Sequence, residues 1–244
     1  MVDPPSAAPF PTTHWSRIVA AGGPGAPLAR EALAELCRVY WFPLYAYIRR
    51  PGHDPDRASE LTQDLFVRLL EKGVLAAADP ARGRFRAFLR AVCADFLANR
   101  RDREHALKRG GGRAVVRIDC DGAEGRYARE PAHELTPERI FDRTWALILL
   151  GRVLERLREE YRSAGQSATF ELLSPVLTDG PRAVPYATLA ARLSTTEGAV
   201  RVAVHRLRRR YGERLREEIA ATVDEPAEVD DEIRDLFAAL DQGS

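Results

Sequence analysis

The chain has 244 residues, of which 45% are hydrophobic and 30% are charged, and its formal net charge is +1. This composition is typical of a soluble globular protein, and the length allows one large domain or two modest ones. No apolar run approaches the roughly 20 residues that span a bilayer, and the first residues lack the pattern of a signal peptide. We therefore expect a cytoplasmic protein with no membrane segment.

The residue types that usually serve catalysis or metal binding are scattered along the chain. Cys37, Cys93 and Cys120 form no Cys-x-x-Cys pair, and their odd number argues against a disulfide framework. The five histidines include no His-x-x-x-His pair. The glycines at 110–112 follow a helical pattern rather than a strand, which makes a poor phosphate loop. We therefore predict free, mostly buried thiols, no metal, no cofactor, no catalytic residue and no enzymatic activity.

Helical periodicity runs through most of the chain, and strand patterns are nearly absent. The predicted fold class is all-α, with two helical domains joined by a flexible linker. The predicted order is an N-terminal arm (1–27), a first helical domain (28–109), a polar linker (110–135), a second helical domain (136–221) and an acidic C-terminal tail (222–244).

A helix-turn-helix pattern lies in the second domain. Tyr186–Leu193 is predicted as a two-turn helix, residues 194–196 as a polar turn, and Glu197 as the start of a helix that runs to about Val223. One face of the longer helix is apolar at Val200, Val204, Leu207, Tyr211 and Leu215, and the opposite face carries Arg201, His205, Arg208 and Arg209. This layout predicts a helix that enters the major groove of DNA. A solvated, arginine-rich surface helix is the alternative.

Charge is segregated along the chain. The stretch from Arg82 to Arg113 contains ten basic residues and three acidic ones. The stretch from Arg201 to Arg216 contains seven arginines and one acidic residue. The tail from Asp224 to Asp241 has eight acids and one arginine. Phe85 and Phe88 stand beside the first basic stretch, which suits single-stranded DNA because rings stack on bases while arginines follow phosphates. The alternative is that these rings belong to the core.

Residues 58–70 (ASELTQDLFVRLL), 85–89 (FRAFL) and 186–208 occur in the order and spacing of three motifs of one family. They resemble, respectively, the polymerase-binding helix, the promoter-melting segment and the upstream-element reader of the extracytoplasmic-function (ECF) sigma factors. The resemblance covers roughly 28–109 and 140–219. It implies a sigma region-two-like domain, a sigma region-four-like domain, and a chain that is monomeric until it meets bacterial core RNA polymerase and promoter DNA.

The resemblance also implies three sets of site residues. Core polymerase would be bound by Glu60, Gln63, Asp64 and Arg68. Promoter melting and single-strand binding would use Asp79, Arg82, Arg84, Phe85, Phe88, Asn99, Arg100 and Arg103. The upstream element would be read by Thr196, Arg201, Val202, His205, Arg206 and Arg209.

The chain departs from this family in several places. Phe88 stands where the family commonly has Trp, Asp95 where it has Asn, and Ala199 where it has Thr. The negative charge of Asp95 argues against a direct DNA contact there. The linker is longer than usual, and the arm and the acidic tail are additional, as in a sigma-like subgroup of bacteria with many such factors.

The acidic tail supports two functional hypotheses and a simpler one. It could fold back on the basic recognition helix and mimic DNA, or it could form an amphipathic helix that packs on a partner through Val229, Ile233, Leu236, Phe237 and Leu240. A plain terminal helix is the simpler interpretation. An anti-sigma factor is a further partner to consider.

A stand-alone helix-turn-helix transcriptional regulator is the alternative function. It would account for the second domain but would leave residues 28–109 without a role. Such regulators are usually dimers on palindromic sites, so the oligomeric state distinguishes the two hypotheses.

Overall fold

A computed structural model describes residues 27–71, 74, 84–106, 122–130, 135–178, 184–223 and 225–241, and the side chains of 27–33, 70–71 and 103–106 are not described. Within these ranges the chain is helical and contains no strand, which confirms the all-α fold class. None of the helices in these ranges has the length and apolar character needed to cross a membrane. Asp79, Arg82, Cys120, most of the predicted N-terminal arm and the side chain of Arg103 lie outside the described residues.

The helices, in chain order, are α1 (Pro27–Arg49), α2 (Pro55–Glu71), α3 (Phe85–Ala106), α4 (Ala123–Tyr127), α5 (Pro137–Ser163), α6 (Ser167–Leu173), α7 (Pro175–Thr178), α8 (Tyr186–Arg192), α9 (Glu197–Ala220) and α10 (Val229–Asp241), the last preceded by a 3-10 turn at Pro226–Glu228.

The chain divides into two compact units. The first contains the residues up to Leu147 and those from Ile219 onward, and the second contains Ile148–Glu218. The first boundary falls inside α5 rather than in the predicted linker at 110–135. The predicted acidic tail belongs to the first unit.

The core of the first unit forms where α1 packs on α2. The predicted apolar stripe of α2 is buried, with Ala58, Leu61, Leu65 and Leu69 almost fully removed from solvent. Gly52 follows α1 with φ of 102°, a left-handed conformation that favours glycine, and its N–H donates to the Arg49 carbonyl at 3.1 Å. The chain can therefore leave α1 and enter α2 within a few residues.

The predicted linker contains an ordered helix, so the prediction of a flexible linker is wrong for residues 122–130. Glu124 of α4 accepts hydrogen bonds from the Tyr45 hydroxyl at 2.7 Å and from Arg49 at 3.0 Å. Arg126 lies over the Phe42 ring, 4.0 Å from its centroid. Burial raises the pKa of Glu124, but the hydrogen bonds from Arg49 and Tyr45 outweigh it and hold the pKa below its usual value. These contacts with α1 keep the short helix in place.

The core of the second unit joins its helices around one apolar cluster. The cluster contains Leu157 and Tyr161 of α5, Phe170 and Leu173 of α6, Val176 of α7, Leu189 and Ala190 of α8, and Val200, Val204 and Leu207 of α9. Every helix of this unit therefore contributes to the support of α9.

Candidate nucleic-acid and polymerase interfaces

The turn between α8 and α9 is built by local hydrogen bonds. The Thr195 N–H donates to the Ala190 carbonyl at 2.9 Å, and Ser194 has a φ of 53°. The Thr196 Oγ1 accepts from the Ala199 N–H at 3.2 Å, which makes Thr196 the N-cap of α9. The tight turn and the cap fix the direction in which α9 begins.

Replacing Thr196 by Ala is expected to lower the free energy of unfolding of the second unit by about 1 kcal/mol, because one N–H of the first turn loses its acceptor. Thr196→Ser keeps the oxygen and should retain most of the stability. Urea unfolding followed by far-ultraviolet circular dichroism measures both. Thr195→Ala, one residue earlier and also exposed, is the matched control; equal losses for Thr195→Ala and Thr196→Ala would contradict the capping role.

Helix α9 has a buried face and an exposed face, as predicted. Val200, Val204 and Leu207 are buried in the core of the second unit. All the residues predicted to read the upstream element are exposed, and Arg208 and Arg210 add to them; the predicted set is Thr196, Arg201, Val202, His205, Arg206 and Arg209. The structure thus brings this predicted set together on one accessible surface.

The charged residues of α9 have different partners at its two ends. Towards the C-terminal end of α9, ion pairs tie the helix to α5: Arg214 with Glu160 at 2.6 Å, Arg156 with Glu217 at 2.8 Å and Arg152 with Glu218 at 3.4 Å. Towards the N-terminal end, Arg201, Arg206 and Arg208 pair with no carboxylate among the described residues. Arg209 is intermediate, since it pairs with Glu213 at 3.1 Å but stays exposed. The N-terminal half therefore offers guanidinium groups to an external anion.

The aromatic residues of the first basic stretch are not equally accessible. Phe85 is buried and packs edge-to-face on Tyr40, with ring centroids 5.3 Å apart. Phe88 is half-buried and stacks on Phe85 at 6.2 Å. The core interpretation therefore holds for Phe85, whose ring is not available to a base in this structure. Only Phe88 presents part of a ring to solvent.

The polar residues farther along α3 have local partners. Asn99 is exposed and donates to the Asp95 carbonyl at 2.7 Å. Arg100 pairs with Asp64 of α2 at 2.9 Å, with each side chain about one-third exposed. A residue predicted to bind single-stranded DNA thus touches a residue predicted to bind polymerase.

The predicted polymerase-binding face of α2 needs a correction. Gln63 is 6% exposed, and like Thr62 it faces the core, so its prediction as a surface contact is wrong in this structure. The Arg68 guanidinium lies over the Phe96 ring at 5.8 Å and is only partly exposed. Glu60 and Asp64 keep part of their carboxylates in solvent.

Sequence reasoning missed Val67 on this face. It is 47% exposed, three residues after Asp64 and seven after Glu60, and these spacings place all three on one side of a helix. The signal was present in the sequence, because Val67 falls outside the apolar stripe formed by Ala58, Leu61, Leu65 and Leu69. Val67 therefore lies next to Asp64, and two turns from Glu60, on the exposed side of α2.

Helix α10 lies against the N-terminal end of α3. Arg84 contacts Glu232 at 2.8 Å and also pairs with Asp235. Arg86 is buried, contacts Glu232 at 2.7 Å and Asp142 of α5 at 2.7 Å, and lies over the Trp145 ring at 4.9 Å. The predicted acidic tail therefore contains an amphipathic helix that buries Val229 and Leu236 within its own chain and leaves Phe237 46% exposed.

The described thiols are poor nucleophiles. Burial raises the pKa of Cys37 to about 11 and that of Cys93 to about 12, and both are free. No group of three or more metal-ligating side chains occurs within the described ranges.

No protein-family model, no curated protein and no solved structure matches this chain. Its function is therefore inferred from the residues themselves.

Proposed function

We propose that this chain is an ECF-type sigma factor, which binds core RNA polymerase in the cytoplasm and directs it to promoters without catalysing a reaction itself. The observation that carries the proposal is the N-terminal half of α9. There, exposed arginines that pair with no carboxylate among the described residues stand on a helix that a capped turn and an apolar core hold in place. Promoter DNA and core polymerase are the proposed partners.

The spacing of the exposed residues on α9 supports DNA reading. Arg201, His205 and Arg208 form one row at helical intervals, and Val202, Arg206 and Arg209 form a second row beside it. The stretch from Thr196 to Arg209 is about 20 Å long at 1.5 Å per residue, enough to cross a major groove about 12 Å wide. Arginines can pair with guanine edges or phosphates, and the exposed Val202 can contact a thymine methyl group.

The α2 face supports the polymerase-binding part of the proposal. Glu60, Asp64 and Val67 combine two partly exposed carboxylates with an exposed apolar side chain. A stand-alone regulator of the helix-turn-helix class would give this face no partner. A sigma factor uses it to dock on polymerase, as the sequence resemblance of residues 58–70 implies.

Size-exclusion chromatography of the chain with bacterial core polymerase tests the proposal, and co-elution at one-to-one stoichiometry is expected. Val67→Arg should weaken this binding by at least about tenfold, because a charge replaces a desolvated contact. Ala238→Arg adds the same charge at an exposed position of α10 and is the matched control.

The outcomes of this experiment distinguish the assignment of the α2 face from the sigma proposal itself. Full binding by the Val67→Arg variant would overturn the assignment of the α2 face while leaving the sigma proposal intact. Separate elution of the unsubstituted chain, from core polymerase that binds another sigma factor, would favour the stand-alone regulator. A dimer of the free chain would point the same way.

A further inference from the structure

Helix α10 contacts Arg84, a residue that the proposed function assigns to single-stranded DNA. Arg84 is among the residues predicted to bind single-stranded DNA and directly precedes the segment 85–89 that resembles the promoter-melting motif; its guanidinium is engaged by Glu232 and Asp235 of α10. The same planar fork of N–H donors that binds a carboxylate also binds a phosphate. A nucleic-acid phosphate and the carboxylate of Asp235 therefore compete for the same donors.

The two carboxylates of α10 differ in how firmly they are held. The Glu232 side chain is 2% exposed and contacts buried Arg86, and Leu236 on the same helix is fully buried. The Asp235 side chain is 50% exposed and Arg84 is 27% exposed. An ion pair this accessible to water is weak and exchanges readily. Glu232 anchors the helix, whereas the contact between Asp235 and Arg84 can open without unfolding it.

We propose that α10 is an internal competitor for single-stranded nucleic acid, in which Asp235 occupies Arg84 until a backbone phosphate of the strand displaces it. The inference rests on the proposed function, in which Arg84 is one of the residues that bind single-stranded promoter DNA. It also gives the self-masking hypothesis a different target, because α10 contacts the start of α3 within the first unit.

The test compares two single substitutions in the full chain. Asp235→Asn removes the exposed partner of Arg84 and leaves its contact with Glu232, whereas Asp231→Asn makes the same charge change on the same helix and removes the partner of Arg234. Binding of a fluorescein-labelled oligothymidylate is measured by anisotropy over a range of salt concentrations. We expect Asp235→Asn to bind about two- to fivefold more tightly than the unsubstituted chain. The dependence of log K on log salt should steepen by about 0.7, as one added phosphate contact requires.

Three results would overturn the inference. The first is that Asp235→Asn and Asp231→Asn change the affinity for the oligothymidylate equally, and the second is that the Asp235→Asn/Arg84→Gln double variant keeps the increase in affinity. The third is that the Asp235→Asn variant does not bind the oligothymidylate. Co-elution with core polymerase is scored separately on the unsubstituted chain. If the chain co-elutes with core polymerase but both variants change the affinity equally, only the inference about α10 is wrong. If the chain does not co-elute, yet Asp235→Asn raises the affinity through Arg84, only the sigma assignment is wrong.

Discussion

Replacing Arg206 by Ala is expected to weaken binding of the polymerase-bound chain to its upstream element by about 1 to 3 kcal/mol. Arg206 is exposed near the middle of α9 and pairs with no carboxylate among the described residues. The element is first selected from randomised DNA, and binding is then measured by electrophoretic mobility shift. A base-reading Arg206 should also alter the selected sequence, whereas a phosphate contact should weaken all sequences alike.

Arg162→Ala provides the matched control for this experiment. Arg162 is an exposed arginine of the same unit, and it pairs with Glu159 on α5 at 2.6 Å. Its loss removes one positive charge and a surface ion pair of small value. Equal weakening by Arg162→Ala and Arg206→Ala would mean that net charge alone drives DNA binding, and the assignment of α9 as the reading helix would fail.

Replacing Glu232 by Gln should destabilise the first unit by about 3 kcal/mol, since removing one partner of a buried pair leaves the other charge uncompensated. The remaining charge is Arg86, whose side chain is 8% exposed and which then depends on Asp142 and on the half-exposed Asp235. Urea unfolding followed by tryptophan fluorescence reports on this unit, because Trp41 and Trp145, the tryptophans of the described chain, both belong to it.

Two further variants complete the stability test. Asp231→Asn, at an exposed position one residue before Glu232, should change the free energy of unfolding by less than about 0.5 kcal/mol. An Arg86→Met/Glu232→Met double variant should recover much of the loss, because apolar side chains of similar size can replace a buried pair. An Asp231→Asn variant as unstable as Glu232→Gln would show that α10 is sensitive to any loss of charge.

The helix-turn-helix was predictable because its signals are local. The predicted helix Tyr186–Leu193 is observed as Tyr186–Arg192, and Glu197 begins α9 as expected. The apolar residues Val200, Val204 and Leu207 recur at helical intervals, so their burial follows from periodicity. A polar turn with a capping threonine needs only a few neighbouring residues, and these are visible in any single sequence.

The incorrect predictions concern contacts that local patterns do not contain. The resemblance places Gln63 on the polymerase-binding surface, where a polar residue usually faces water, but Gln63 is buried on α2. Glu124 looked like a linker residue because its partners, Tyr45 and Arg49, lie more than 70 residues earlier. The partner of α10 was equally hidden, since Arg86 and Glu232 are 146 residues apart.

The first unit is discontinuous in sequence, and this has a consequence for its synthesis. Residues 148–218 lie between its two parts, so the whole second unit is synthesised before α10. Arg86 is made 146 residues before Glu232. At translation rates of about 5 to 20 residues per second, that interval lasts roughly 7 to 30 seconds. During that time Arg86 lacks Glu232 and Asp235 and has only Asp142 of its three carboxylate partners, so the folding of the first unit can finish only after the C-terminal helix has emerged.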